Sequence, residues 1–280
     1  MDNGLKLTFG KILLLAGDIY GTDLQISDGS TKKETETRFL SAFNTLNSDK
    51  EINEWSKQYG LSKNEVPNVL KIFKTEIDTI NTSLKNNIPH STAYQDLGND
   101  LNVSYNVATG GGSSIGSYAV HNYPNINIIQ LLPQGRMLKL TQINWDHFAH
   151  DGMSWKAYES GHNLALLTAA NANGDIKLLE RAYAYDAFSC HFLSDHFASG
   201  HLRTPRKELH FGTGSIPPWS SVIGDYLSKL MHDEENIQGL TVANNACYNQ
   251  NSKVKCNVWK RYGDNMLAEK VNTNCFTTVC

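Results

Sequence analysis

Apolar residues recur at helical spacing over much of the chain. Phe39, Phe43 and Leu46 share one face of residues 35–47, and Val66, Val69, Leu70 and Phe73 share one face of residues 62–80, so both stretches are expected as scaffold helices. The same rhythm predicts a short helix over residues 5–20 that ends at Gly21 and carries Asp18 near its C-terminal end. It resumes at Arg136, runs through Leu138, Leu140 and Ile143, and reaches His147. Helices are also expected over residues 158–170 and 178–199, and a last one over 224–236 aligns Asp225, Lys229, His232 and Asn236 on one face. Between residues 82 and 128 the pattern fails, because Pro89, Gly98, Gly110, Gly111, Gly112, Gly116 and Pro124 punctuate a polar stretch expected as loop. After Gly239, Val, Thr and Tyr alternate with polar breaks and predict a small β-hairpin within residues 241–262, followed by a frayed tail. The fold class expected is mainly α: a multi-helix bundle with long loops and a small C-terminal β-hairpin. It is read as a single domain over residues 1–280, with 241–280 a small β or irregular extension.

Composition narrows the functions open to such a fold. At 280 residues, with 40 % hydrophobic and 19 % charged residues, the chain can bury a sizeable core. A net charge of -3 gives no electrostatic footprint for nucleic acid. The apolar run near the N-terminus, residues 12–16, is too short for a signal-peptide core or a membrane span. The expectation is a protein that is secreted or translocated without a visible N-terminal signal, or one trimmed at its start, with a cytoplasmic location as the alternative. Five cysteines leave at least one unpaired within the chain. Cys190 reads as a core thiol or a soft extra metal ligand, Cys247 and Cys256 as flanks able to staple a hairpin, and Cys275 and Cys280 as part of a ragged end.

Histidine is the bias that points to chemistry. Of ten histidines, six lie between Trp145 and His201. His191 and Asp195 stand at i and i+4, side by side on a helix, and His201 follows just past Gly200, where a kink would swing it back. Two imidazoles with a carboxylate suit Zn²⁺; stray histidines on a surface helix are the plainer alternative. Asp18 sits where a helix dipole disfavours a carboxylate, which suggests either a neighbouring cation or a turn cap. His147, with Trp145 and Phe148 to wall its ring from water, is a core histidine or a ligand. His162 heads its expected helix, a place to meet an anion. Arg203 and Arg206 either clamp a phosphate or pair with acids, and His210 falls in an expected loop.

The string HFLSDHFASGH, with His191, Asp195 and His201 as His-x3-Asp-x5-His, resembles the central motif of the zinc-dependent phospholipase C and single-strand nuclease superfamily. LTFGKILLLAGDIYG, RFLSAFNTL, NWDHFAHDG, YESGHNLALL, DAFSCHFLSDHFASGHLRTPR and HDEEN together resemble a bacterial phospholipase C family within it, in family order over residues 7–236.

The resemblance implies a helical fold of the zinc-dependent phospholipase C type with two or three Zn²⁺ ions. Asp18, His147, His191 and Asp195 are then ligands of one ion, Asp195 bridges to another, and His201 and His232 serve that second ion. The superfamily completes the second site with a His-x3-Glu/Asp pair, but here Asn236 follows His232, so Asn236, Glu235 or Asp225 would supply the remaining ligand. Relatives build a third site from an N-terminal Trp and an early His. This chain begins Met-Asp-Asn-Gly and its first histidine is His90, so that site is absent or is supplied by His162.

The implied activity is cleavage of a glycerophospholipid of the phosphatidylcholine type to diacylglycerol and a phosphorylated headgroup. Asp18 and Asp195 would be the catalytic carboxylates. The partner is a phospholipid at a membrane surface, with no stable nucleic-acid partner. Arg203, Tyr158 and Asp186 are the substrate-binding candidates, with Tyr183, Tyr185 and Glu159 near them in sequence. A single-strand nuclease or 3'-nucleotidase on the same metal core, and a non-catalytic metal- or lipid-binding protein, are the alternatives.

Overall fold

The computed structural model describes residues 1–48, 62–111, 135–213, 221–244, 247 and 257–263. Ten α-helices are described: α1 Phe9–Leu15, α2 Lys32–Asn47, α3 Ser62–Lys85, α4 His90–Ala108, α5 Arg136–Gln142, α6 Met153–Ala170, α7 Ile176–Phe197, α8 Ser199–Leu202, α9 Arg206–Phe211 and α10 Ser221–Gln238. Two strands, β1 Leu240–Ala243 and β2 Val258–Arg261, pair antiparallel, with Leu240 opposite Arg261 and Ala243 opposite Val258. The fold is therefore mainly α with a small C-terminal hairpin, as the sequence pattern led us to expect. Among the described residues no helix is long and apolar enough to cross a membrane. Residues 112–134, which hold Gly112, Gly116 and Pro124, lie outside the described residues, as do Cys256, Cys275 and Cys280. Cys190 lies outside any disulfide, whereas Cys247 is disulfide-bonded.

Backbone packing groups the chain into two compact units, residues 1–147 with 151–193, and residues 148–150 with 194–280. The first holds the main core. Phe39 and Phe43 from α2 meet Phe188 and Tyr185 from α7, with Phe39 edge-on to Phe188 at 5.7 Å and Phe43 edge-on to Tyr185 at 4.8 Å. Such rings at right angles gain from their quadrupoles as well as from burial. They fix the rotation of α7 and so aim Phe192 and His191, one turn further along, at the chain N-terminal to α2. In the second unit α10 packs on α8 and α9.

Several boundaries differ from the hydrophobic pattern for local reasons. α1 is seven residues long, capped by the Thr8 hydroxyl, and it stops before Gly17, whose φ of +67° no helix accommodates. Asp18 thus lies in a turn beyond the helix. α4 occupies much of the stretch expected as loop. Ala93, Leu97, Leu101, Tyr105 and Ala108 give it one inward position per turn, a stripe too narrow to stand out. Pro89, expected as a breaker, is instead the residue from which α4 starts. α6 begins at Met153, so His162 lies inside the helix and not at its head. α7 ends at Phe197 because Ala198 is extended, at φ -73° and ψ 135°, so the break falls before Gly200, which sits inside α8. His210 belongs to α9 rather than a loop.

The start of α2 yields a pH-dependent expectation. The Thr31 hydroxyl accepts from Glu34 N at 3.2 Å, while Glu34 accepts from the Ser30 hydroxyl at 2.7 Å, from Ser30 N at 3.0 Å and from Arg38 at 2.7 Å. These hydrogen bonds, Ser30 foremost, lower the Glu34 pKa from 4.5 to about 2. A depressed carboxylate stabilises the folded state above its unfolded pKa and loses that contribution as pH falls towards its folded one. The melting-temperature gap between the native protein and Glu34→Gln should therefore narrow from about pH 6 to about pH 3. A gap that holds constant or widens on acidification would refute it.

Candidate functional site

Three segments of the first unit bring Asp18, His147 and His191 together. His147 ends a 3-10 turn, Trp145–His147, that follows α5. This turn is held by its middle residue: Asp146 is buried, and its carboxylate accepts from Ile26 N at 2.5 Å and Ser27 N at 2.9 Å. Burial raises the Asp146 pKa, and these hydrogen bonds oppose the rise only in part. Trp145 donates to Asp28 at 3.1 Å. His191 comes from α7, and Asp18 from the turn after α1, where Asp18 N donates to Ala16 O at 2.7 Å and Tyr20 N to Leu15 O at 3.0 Å.

Asp18 Oδ1 lies 3.7 Å from His147 Nδ1, Asp18 Oδ2 lies 3.7 Å from His191 Nε2, and the two ring nitrogens are 3.2 Å apart. The separations fall around the edge of about 3.3 Å for a tetrahedron of zinc bonds 2.0 to 2.1 Å long. Both imidazoles are buried, whereas the Asp18 side chain is 46 % exposed, so solvent reaches the group from the carboxylate side. His191 Nδ1 faces Leu13 O at 3.1 Å. A carbonyl only accepts, so that nitrogen carries the proton and Nε2 presents its lone pair to the group. Phe192, with its ring 5.5 Å from each imidazole, backs both. A nitrogen-nitrogen-oxygen set held in this way fits Zn²⁺ or a similar cation.

The second unit gathers His201, His232, Asn236 and Asp195. His201 and His232 face each other with ring centroids 4.7 Å apart, and His201 Nδ1 is 4.0 Å from Asp195 Oδ1. Phe148, expected beside His147, sets its ring edge-on to His201 at 4.8 Å and to His232 at 6.4 Å. Asn236 Oδ1 accepts from Gly200 N at 2.7 Å, which turns its amide nitrogen towards His232 Nε2 at 3.1 Å. An amide NH₂ only donates, so Nε2 accepts and the His232 proton sits on Nδ1, 3.0 Å from Asp233 Oδ1. Burial pushes the Asp233 carboxyl up, but the His232 hydrogen bond and the Lys229 charge outweigh it and hold its pKa below the ordinary value. Asn236 is thus adjacent to His232, with its oxygen committed to the main chain. The other two candidates for this position point elsewhere: Glu235 accepts from Arg203 at 2.8 Å, and Asp225 from Arg206 at 2.5 Å and His210 at 2.8 Å.

Neither protein-family models, nor curated proteins, nor solved structures match this chain.

Of the remaining site candidates, His162, Tyr158 and Asp186 form a separate cluster in the first unit, whereas Arg203 belongs to the second. His162 Nδ1 pairs with Asp186 Oδ1 at 2.8 Å, and its ring stacks on Tyr158 at 5.1 Å. Trp155 lies next to Tyr158, at 5.4 Å. Burial, then the neighbouring Cys190 and Asp186, raise the Tyr158 pKa. His162 therefore already has a carboxylate partner, and it does not stand at a helix N-terminus, because α6 starts nine residues earlier. Arg203 is tied to Glu235 although its side chain is 67 % exposed. Sequence reasoning missed Leu13 O, a backbone carbonyl that leaves no side-chain signal, and also missed Gly17 and Asp233. The adjacency of Asp233 to His232 was the one clue available for the last of these.

Proposed function

We propose that this protein is a metal-dependent phosphodiester hydrolase, a zinc-dependent phospholipase C acting on phosphatidylcholine-type lipids. The observation that carries the reading is the Asp18–His147–His191 group, in which two imidazoles and a half-exposed carboxylate from three separate segments face one point. Asp18, His147 and His191 would hold one Zn²⁺, and His201 and Asp195 another, joined by His232 once its Nε2 is released from the Asn236 amide. Bound zinc supplies Lewis acidity towards a phosphoryl oxygen and acidifies water near neutral pH. The chain's own residues orient these groups. Leu13 O fixes the His191 tautomer, Asp233 holds the proton of His232 on Nδ1, and Phe148 packs edge-on to both His201 and His232. The net charge of -3 favours a zwitterionic lipid over a polyanionic nucleic acid. Tyr158, Asp186, His162 and Arg203 remain the substrate-side residues of this reading.

One observation favours a second reading, a metal-binding protein without turnover: the Asn236 oxygen that stands where a ligand carboxylate is expected is occupied by Gly200 N. A single experiment separates the two. Zinc-loaded protein, its metal content counted by elemental analysis, is incubated with phosphatidylcholine vesicles and separately with single-stranded DNA and RNA. The expected result is bound zinc with diacylglycerol release that a chelator abolishes. Nucleotide release alone would move the protein to the nuclease reading, and bound zinc with no release from either would favour the binding protein.

A further inference from the structure

We infer that Gly17 is a positioning residue for the two imidazoles opposite Asp18, an inference that rests on reading this group as a cation site. The Cα of Gly17 lies directly against both rings. A Cβ built there would come within 2.6 Å of His191 Cδ2, 2.7 Å of His191 Nε2 and 2.7 Å of His147 Cε1. Those atoms are, or adjoin, the nitrogens that face Asp18. Neither ring has room to retreat: His147 is 3 % and His191 7 % exposed, Phe192 stands behind both, and His191 Nδ1 is anchored on Leu13 O. Any side chain at position 17 must therefore turn the imidazoles away from their shared point. Gly17 has a second task, since its φ of +67° reverses the chain after α1 and delivers Asp18 to the rings. One residue without a side chain thus sets both the spacing of the nitrogen donors and the approach of the oxygen donor.

Gly174 separates these effects, because its φ is +89° yet a Cβ there meets nothing within 4 Å. Gly174→Ala imposes left-handed backbone strain without touching a ring, whereas Gly17→Ala imposes the strain and the clash. The imidazole ¹H–¹⁵N signals of His147 and His191 are recorded in the metal-free native protein and in both variants, and Co²⁺ binding is followed by visible absorption. Gly17→Ala is expected to move both histidine signals and weaken Co²⁺ binding by about ten-fold or more, as loss of a supporting contact does at metal sites. Gly174→Ala should change neither. Unmoved imidazole signals in Gly17→Ala, or equal movement in Gly174→Ala, would overturn the inference. Native protein that binds no Co²⁺ would defeat the cation reading, while the imidazole comparison would still decide the role of Gly17. Should Gly17→Ala not fold, contact between the Gly17 α-protons and the His147 Hε1 and His191 Hδ2 protons is read from nuclear Overhauser effects in the native protein. Their presence supports the placement and their absence refutes it.

Discussion

Replacing His191 with alanine is expected to weaken zinc binding at the Asp18 group by at least ~100-fold, beyond what loss of an outer partner alone costs. His191 is the donor whose lone pair is already aimed, because Leu13 O holds its proton on Nδ1. Removing it leaves His147 and a carboxylate that is 46 % exposed and well hydrated, a pair with little advantage over water as a zinc site. The affinity is best measured by competition with a chromophoric chelator. A folding readout accompanies it: zinc should raise the melting temperature of the native protein and have a much smaller effect on His191→Ala, since a ligand stabilises only the state that binds it. Native-like affinity in the variant would remove His191 from the site and with it the observation on which the proposed function stands. Phospholipid hydrolysis should fall along with the affinity.

The second large effect concerns stability. Arg136 and Glu65 form an ion pair whose side chains are 3 % and 9 % exposed. Arg136 Nε also donates to Ile19 O at 2.7 Å, its guanidinium lies 4.3 Å over the Tyr20 ring, and the Tyr20 hydroxyl donates to Glu65 at 3.2 Å. Arg136→Leu would leave the Glu65 carboxylate buried without its cation, a change that costs about 3 to 5 kcal/mol. For a chain of this size the melting temperature should drop by roughly 6 to 20 °C. The double variant Arg136→Leu with Glu65→Leu should recover part of the loss, because no charge is then stranded. A double variant less stable than the single one would contradict this account. The network also reaches the site: Ile19 follows Asp18 directly, so Arg136 pins the far side of the turn that carries this carboxylate.

What could be read from the residues alone was whatever repeats or lies close in sequence. Phe39, Phe43 and Leu46 announce α2, and the alternation after Gly239 announces the hairpin. α4 escaped because one apolar residue per turn, from Ala93 to Ala108, leaves a weak periodic signal and because Pro89 and Gly98 look like interruptions. The three ligand candidates Asp18, His147 and His191 were legible as types, and the structure brings them together, but the supports around them were not. A carbonyl such as Leu13 O has no identity in sequence, and Gly17 matters for the side chain it lacks. Phe148 shows the limit of adjacency: it follows His147, yet its ring is described against His201 and His232. The break at Ala198 likewise carries no breaker residue, and α8 beyond it packs on α10, a contact with no sequence signal.

Asn236 occupies a position where the resemblance leads one to look for Glu or Asp, and its hydrogen bonds give that difference a consequence for the ring beside it. The amide accepts from Gly200 N and donates to His232 Nε2, and His232 in turn donates from Nδ1 to Asp233. A carboxylate at 236 has no hydrogen to give. Both His232 nitrogens would then face a carboxylate, an arrangement satisfied only by a ring with a proton on each nitrogen. Positions 236 and 233 are therefore coupled through the ring between them: with the amide at 236 a singly protonated imidazole satisfies both neighbours, whereas an acid there would call for a second proton.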